Sequence, residues 1–142
     1  MDKTENTKMS WAKLRNDQDL RQRLSHIRVL LADRDYRTAS LMHRILFSFG
    51  FRHIEMVTSG EAALESLRTL PFDLIITEWN MAPVDGITLI KAIRMAKDDE
   101  RIRRDIPIIM LTARTEVDHV QAARDAGINE FVRKPFPNAS FR

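Results

Sequence analysis

Apolar and polar residues follow two alternating patterns along the chain from residue 27 onward. Residues 27–32 form a short continuous apolar run, which is typical of a strand that is buried on both faces of a sheet. Residues 36–49 instead carry apolar side chains at helical spacing and are followed by Gly50, a residue type that often ends a helix. These segments predict a strand followed by an amphipathic helix.

The same alternation continues to residue 132. It predicts further strands at 53–57, 72–77, 108–111 and around 131–132, and further helices at 59–70, 87–95 and 117–126. Buried strands that alternate with helices favour a parallel sheet with helices on both faces, which is a doubly wound α/β fold. Ligands of such folds bind beyond the carboxyl ends of the strands, so the residues that follow each strand are candidates for a site.

Residues 1–26 are rich in polar and charged side chains and lack this alternation. We expect them to form a polar extension, with residues 27–142 as one domain. A helix is expected to begin at Ser10 or Asp17, both suitable N-cap residues. Trp11 and Leu20 would fall on opposite sides of that helix, which favours a partly ordered segment; a helix that covers the core or binds a partner is the alternative.

Composition narrows the functional classes. The chain has no cysteine, which excludes disulfides and Cys-based zinc sites, and its four histidines lack metal-ligand spacing. No apolar run is long enough to span a bilayer and no secretory signal is present, so we expect a cytoplasmic protein. A net charge of +3 predicts a mixed, solvated surface, with residues 98–104 as a solvated turn, and nucleic-acid binding through this domain is not expected.

Chemically distinctive residues follow four of the predicted strands. Asp33 follows the first strand, Glu78 the third, Thr112 the fourth and Lys134 the fifth. The carboxyl ends of parallel strands meet at one edge of a sheet, so we expect these four side chains to share one small pocket. A lysine and a hydroxyl directed at a carboxylate suit the binding of a phosphoryl group, or of an anion that imitates one.

The motifs around these residues resemble the receiver domain of two-component response regulators, over about residues 27–137. The stretch EWNMAPVDG at residues 78–86 is similar to the phosphorylation loop of chemotaxis-type receivers, and the stretches LTA at 111–113 and KPF at 134–136 match later motifs. The resemblance implies a five-stranded, flavodoxin-like sheet of order 2-1-3-4-5. It also implies a role in phosphorelay signal transduction rather than an enzyme activity.

In that family, an aspartate after the third strand accepts a phosphoryl group from a histidine kinase or a phosphotransfer protein, and nearby acids hold Mg²⁺. For this chain the resemblance assigns the phosphoryl site to Glu78, Thr112 and Lys134, the switch to Thr112 and Phe131, and the metal site to Asp33, Glu78 and the backbone of Asn80. The switch would alter binding to a downstream protein partner.

Glu78 departs from the family pattern at the phosphoacceptor position. Its extra methylene moves the carboxylate by about 1.5 Å, and an error near 1 Å costs about a hundredfold in rate. We therefore expect an atypical, phosphomimetic receiver, or pseudo-receiver, that works by protein–protein interaction. An ordinary Mg²⁺-dependent phosphoacceptor is the alternative.

Arg34 departs from the pattern at the second acid of the metal site. A cation there opposes Mg²⁺ binding and makes the metal doubtful. Its guanidinium either pairs with Asp33 or Glu78 or faces the solvent, and Asp35 is a possible substitute ligand.

The family's fifth helix would begin near Phe136, but only residues 138–142 follow Pro137. We expect this helix to be missing or truncated, which leaves an apolar face for residues 11–24 or a second copy in a homodimer to cover. A receiver that belongs to a longer DNA-binding regulator is a further alternative. A nucleotide-binding enzyme on the doubly wound fold is a disfavoured alternative, because it needs a glycine-rich loop after the first strand and residues 33–37 contain no glycine.

Overall fold

The structure is a computed structural model that describes residues 13–79, 81, 85–96, 100–112 and 117–133, with the backbone alone at 112, 117–119 and 133. Its elements in chain order are α1 (Gln18–Leu24), β1 (Arg28–Ala32), α2 (Tyr36–Phe49), β2 (His53–Val57), α3 (Gly60–Thr69), β3 (Leu74–Thr77), α4 (Gly86–Arg94), β4 (Ile108–Thr112), α5 (Val117–Ala126) and β5 (Glu130–Arg133). None of these helices is both long enough and apolar enough to cross a membrane.

The strands form one parallel sheet in the order β2-β1-β3-β4-β5. The predicted doubly wound sheet and its flavodoxin-like order are confirmed. The sequence predicts that the family's last helix, the one after β5, is missing or truncated. This prediction concerns residues 134–142, which lie outside the described part of the chain.

Alternate residues of the central strands enter two separate cores. Leu30, Ile75 and Ile108 belong to the larger core, which also contains buried residues of α3, α4 and α5. Val29 and Ile76 belong to a smaller core, together with the buried Ala39 of α2 and partly buried residues of the same helix. Because both faces of each central strand are covered, the strands are apolar at nearly every position, as the sequence pattern predicts.

Besides α1, three helices begin at side-chain caps that directly precede their first turn. Asp35, Ser59 and Asp85 each accept a hydrogen bond from a backbone N–H of the first turn of α2, α3 and α4, respectively. These caps satisfy N–H groups that have no partner inside the helix. At its other end, α2 stops at Gly50, whose φ of 117° is left-handed, as the sequence predicts.

β3 begins at Leu74, two residues later than the sequence pattern predicts. Asp73 bonds to Arg28 twice: its backbone N–H donates to the Arg28 carbonyl at 2.8 Å, and its Oδ2 accepts from the Arg28 N–H at 2.9 Å. The Arg28 N–H thus bonds to a side-chain oxygen instead of a backbone carbonyl, and the regular pairing of β1 with β3 starts at the next residues, Val29 and Leu74. The apolar Phe72 packs into the larger core without being part of a strand.

The described part of the N-terminal extension is attached to the end of α2. Asp17 caps α1, and the Arg21 guanidinium donates to the carbonyl oxygens of Ser48 at 2.7 Å and Arg15 at 3.1 Å. The Arg21 backbone lies directly over Gly50, where an added Cβ would be 2.9 Å from the Arg21 Cα. No residue of α1 is buried, so α1 itself adds nothing to either core.

Gly50→Ala is expected to lower the free energy of unfolding by about 2 kcal/mol, because alanine is strained at this φ and its methyl group meets the Arg21 backbone. Trypsin should also cleave the variant faster at Arg21 and Arg23. Gly127→Ala is the control for the strain of alanine at a positive φ: its φ is 111°, and the atoms nearest to an added Cβ belong to the Arg94 side chain rather than to α1. Equal cleavage rates in the two variants would show that Gly50 does not hold α1.

Candidate functional site

Backbone pairing places the ends of β1 and β3 side by side. Ala32 pairs with Thr77, and the backbone N–H of Glu78 donates to the Ala32 carbonyl at 2.8 Å. Asp33 and Glu78 therefore continue two neighbouring strands, which in any sheet lie about 4.8 Å apart. The structure brings these two predicted site residues to the same point of the sheet edge.

The carboxylate of Glu78 is buried and folds back onto its own chain. Glu78 is 6% exposed, and its Oε1 accepts a hydrogen bond from the backbone N–H of Trp79 at 2.9 Å. The carbonyl oxygen of Glu78 accepts a second bond from the Thr77 hydroxyl at 3.1 Å. The Trp79 side chain packs against the larger core, so the amide that holds the carboxylate is itself anchored.

Asp33 is the second buried carboxylate of this edge. It is 3% exposed, and its Oδ1 accepts the backbone N–H of Asp35 at 2.9 Å. Its own N–H donates to the Val57 carbonyl at 3.0 Å, which connects the turn after β1 to the end of β2. Two buried carboxylates on adjacent strands repel each other, so the site favours positively charged or hydrogen-bond-donating groups.

Asp35 and Arg34 occupy the same turn but have different surroundings. The Oδ1 atom of Asp35 accepts the Arg37 N–H at 3.0 Å, and its Oδ2 accepts the Thr38 hydroxyl at 3.1 Å. Both carboxylate oxygens therefore cap α2. Arg34 is exposed and forms no ion pair with any described residue, which matches the solvent-facing alternative rather than a bidentate pair with Asp33 or Glu78.

Gly86 allows the start of α4 to pack against the backbone of Glu78 and Trp79, a role that the sequence analysis did not predict. Its N–H donates to the Trp79 carbonyl at 2.8 Å, and a Cβ placed on it would overlap the carbonyl oxygen of Glu78. Only a residue without a side chain allows α4 to begin this close to the end of β3. The available signal was its place as the last residue of the 78–86 motif.

The remaining predicted site residues are only partly described. The backbone of Thr112 ends β4, two residues after Met110, which pairs with Thr77, and so it lies at the same edge as Glu78. Phe131 is half-buried on β5, pairs with Met110 and packs against the larger core. Lys134 and Asn80 lie outside the described residues, so the prediction of a single pocket for four side chains stays a prediction.

Comparison with known proteins places this chain beside receiver domains. The family model of the response regulator receiver domain matches residues 29–142. The chemotaxis protein CheY of Pseudomonas aeruginosa is 33% identical over 110 residues, which cover 78% of this chain and 86% of that protein. The structure of CheY4 of Vibrio cholerae is 27% identical with a TM-score of 0.69, and the match covers 80% of this chain and 91% of that one.

A more distant structure contains ligands. The receiver domain of the histidine kinase CKI1 from Arabidopsis thaliana, crystallised with Mg²⁺ and BeF₃⁻, is 22% identical with a TM-score of 0.72. That match covers 84% of this chain and 89% of that one. At this identity, the likeness concerns the fold.

The sheet order and the acidic strand ends are those of a signal receiver. The chain belongs to the family of response regulator receiver domains, and within it to the chemotaxis type, which acts in two-component signal transduction. The resemblance inferred from the motifs is confirmed.

The described residues do not fit a resident Mg²⁺ ion. No three His, Cys, Asp or Glu residues among them are grouped so that they could hold a metal. Asp33 and Glu78 supply two carboxylates, and one oxygen of each already accepts a backbone N–H. The third carboxylate nearby, that of Asp35, caps α2 with both oxygens. Mg²⁺ prefers near-octahedral oxygen coordination, and this part of the edge offers few oxygens for it.

Proposed function

We propose that this chain is an atypical receiver that signals by binding partner proteins, with Glu78 as a permanent substitute for a phosphorylated aspartate. The observation that carries the proposal is the position of the Glu78 carboxylate, which is buried and accepts the Trp79 N–H at 2.9 Å. A charged group beyond the end of β3 is thereby held in place without any covalent modification.

The same geometry argues against phosphoryl transfer to Glu78. A carboxylate attacks through an oxygen lone pair that must point along the line of transfer, and a displacement near 1 Å costs about a hundredfold. Glu78 is one methylene longer than aspartate, and one of its oxygens is already directed to the Trp79 amide. Its burial further limits the approach of a phosphodonor.

The proposal has consequences for partners and location. A histidine kinase or phosphotransfer protein is the upstream contact, and a downstream protein receives the signal by binding, with a homodimer as an additional assembly. The protein acts in the cytoplasm and has no enzyme activity of its own. Thr112, Lys134 and Phe131 retain the roles that the resemblance assigns to them, with Thr112 and Lys134 near the Glu78 carboxylate.

Glu78→Asp is expected to restore phosphorylation, because it removes the extra methylene and frees the carboxylate from its present position. With acetyl phosphate, intact mass spectrometry should show an adduct of about 80 Da on the Asp variant, at a rate roughly a hundredfold above wild type. Glu78→Gln is the negative control. Asp85 is the other carboxylate on this loop, but it caps α4 by accepting the Thr88 N–H at 2.8 Å. Adding Asp85→Asn to the Glu78→Asp variant should therefore leave the adduct unchanged.

A Mg²⁺-dependent adduct on Glu78 of the wild-type chain would overturn the proposal in favour of an ordinary phosphoacceptor. Peptide mapping after borohydride reduction of the acyl phosphate locates the modified residue.

A further inference from the structure

We infer that Arg34 makes the acidic edge of this receiver independent of divalent metal, and that a carboxylate at position 34 would create a Mg²⁺ site. The inference goes beyond the proposed function, since a receiver with a permanent carboxylate could still bind a metal.

The first support is the use of the carboxylate oxygens. Asp33 and Glu78 are both buried, and each commits one oxygen to a backbone N–H within the chain. Asp35 directs both of its oxygens to the first turn of α2, to the Arg37 N–H and the Thr38 hydroxyl. Moving Asp35 to a metal would remove the cap of a long helix, so it is a poor substitute ligand.

The second support is the state of Arg34. It directly follows the buried Asp33, is exposed, and forms no ion pair with any described residue. Its charge is therefore not neutralised by a neighbouring carboxylate of the described chain, and it adds a positive potential at the entrance to the acidic edge. A divalent cation that approaches Asp33 and Glu78 must enter against that potential.

The third support is that position 34 can change without loss of packing. The side chain is exposed and makes no hydrogen bond within the described chain, so its replacement leaves both cores and the α2 cap intact. An aspartate at this position adds an oxygen ligand beside Asp33 and removes the opposing charge. Arg34→Asp is therefore expected to tighten Mg²⁺ binding by tenfold or more, of which the charge change alone supplies a part.

Isothermal titration with MgCl₂ on the full chain tests the inference. Quenching of Trp79 fluorescence, in a Trp11→Phe background, reports whether the metal binds beside Glu78. We expect no saturable binding by wild type up to about 10 mM and saturable binding by Arg34→Asp, with Arg34→Gln closer to wild type. Arg37→Asp is the matched control: it makes the same change of charge at an exposed position of the first turn of α2, and it should behave as wild type.

Saturable Mg²⁺ binding by wild type below about 10 mM would overturn the inference. So would equal binding by the Arg37→Asp variant, which would point to net charge rather than to a ligand at position 34. A folded Arg34→Asp variant, judged by circular dichroism, that still binds no Mg²⁺ would also contradict it. The titrations contain no phosphodonor, so they are read separately from the phosphorylation of Glu78, which is measured by mass.

Discussion

Gly86→Ala adds only one methyl group, but it should lower the free energy of unfolding by about 3 kcal/mol or more. The added methyl group would overlap the carbonyl oxygen of Glu78 and approach the Trp79 Cα and the Met110 side chain to 3.0 Å. The overlap therefore involves the backbone at the centre of the site.

Neither side of this contact can move at low cost. The end of β3 is held on one side by the Glu78 N–H bond to Ala32 and on the other by pairing of Thr77 with Met110. α4 is held by Leu89, Ile90 and Ile93, all of which are fully buried. A shift of the helix away from Glu78 would open gaps around three core side chains, and such gaps are costly in close-packed interiors.

Chemical denaturation of Gly86→Ala beside wild type measures this loss. Lys91→Ala, on the exposed side of the same helix, should change the free energy of unfolding by less than about 0.5 kcal/mol. A Gly86→Ala variant as stable as wild type would mean that α4 is able to move away from β3 freely.

Arg94→Met is the second substitution for which a large effect is expected, about 3 kcal/mol of stability. The Arg94 guanidinium donates to three carbonyl oxygens, those of Gly127 at 2.9 Å, Arg104 at 2.6 Å and Ile106 at 2.7 Å, and to Asn129 Oδ1 at 2.9 Å. One side chain thus connects the end of α4, the segment before β4 and the turn between α5 and β5.

Methionine keeps the aliphatic stem of Arg94 but leaves these acceptors without their charged donor. Burial lowers the pKa of the Arg94 guanidinium, with the charge of Asp105 acting in the opposite direction. The guanidinium is nonetheless always charged at neutral pH. Arg94→Lys should recover only part of the loss. The guanidinium reaches its acceptors from three nitrogens, whereas a lysine ammonium has one nitrogen and cannot reach all of them.

Thermal or urea unfolding of Arg94→Met and Arg94→Lys measures these differences. Arg23→Met is the control, since Arg23 forms only an exposed ion pair with Asp19, and such pairs contribute about 0–1 kcal/mol. Equal losses for Arg94→Met and Arg23→Met would refute the structural role of Arg94.

The fold was predictable because its determinants are local. Continuous apolar runs mark buried strands, helical spacing marks α2 and α3, and Gly50 marks the end of α2. The start of β3 was predicted too early because Phe72 is apolar like a strand residue, whereas the neighbouring Asp73 replaces a backbone acceptor with its side chain. The spacing of apolar residues indicates that a residue is buried, but it does not indicate how the backbone of that residue is hydrogen-bonded.

Residues 100–104, the described part of the charge-rich stretch 98–104, show the same distinction. Their many charges predict a solvated turn, and Arg103 and Arg104 are indeed exposed. Ile102, however, is 6% exposed and belongs to the larger core, and Arg94 holds the end of this segment through the Arg104 carbonyl. A charge-rich stretch therefore contributes a core residue that composition alone conceals.

The sequence by itself determined the order of strands and helices and the chemical groups at the strand ends, because both depend on residue type and spacing. Only the tertiary structure decided how those groups are engaged: Glu78 folds onto the Trp79 amide, Asp35 caps α2, and Arg34 stays in solvent. The bonding partners are near in sequence, but which of the available donors each carboxylate takes, and whether a side chain is buried or exposed, depend on how remote segments pack around it.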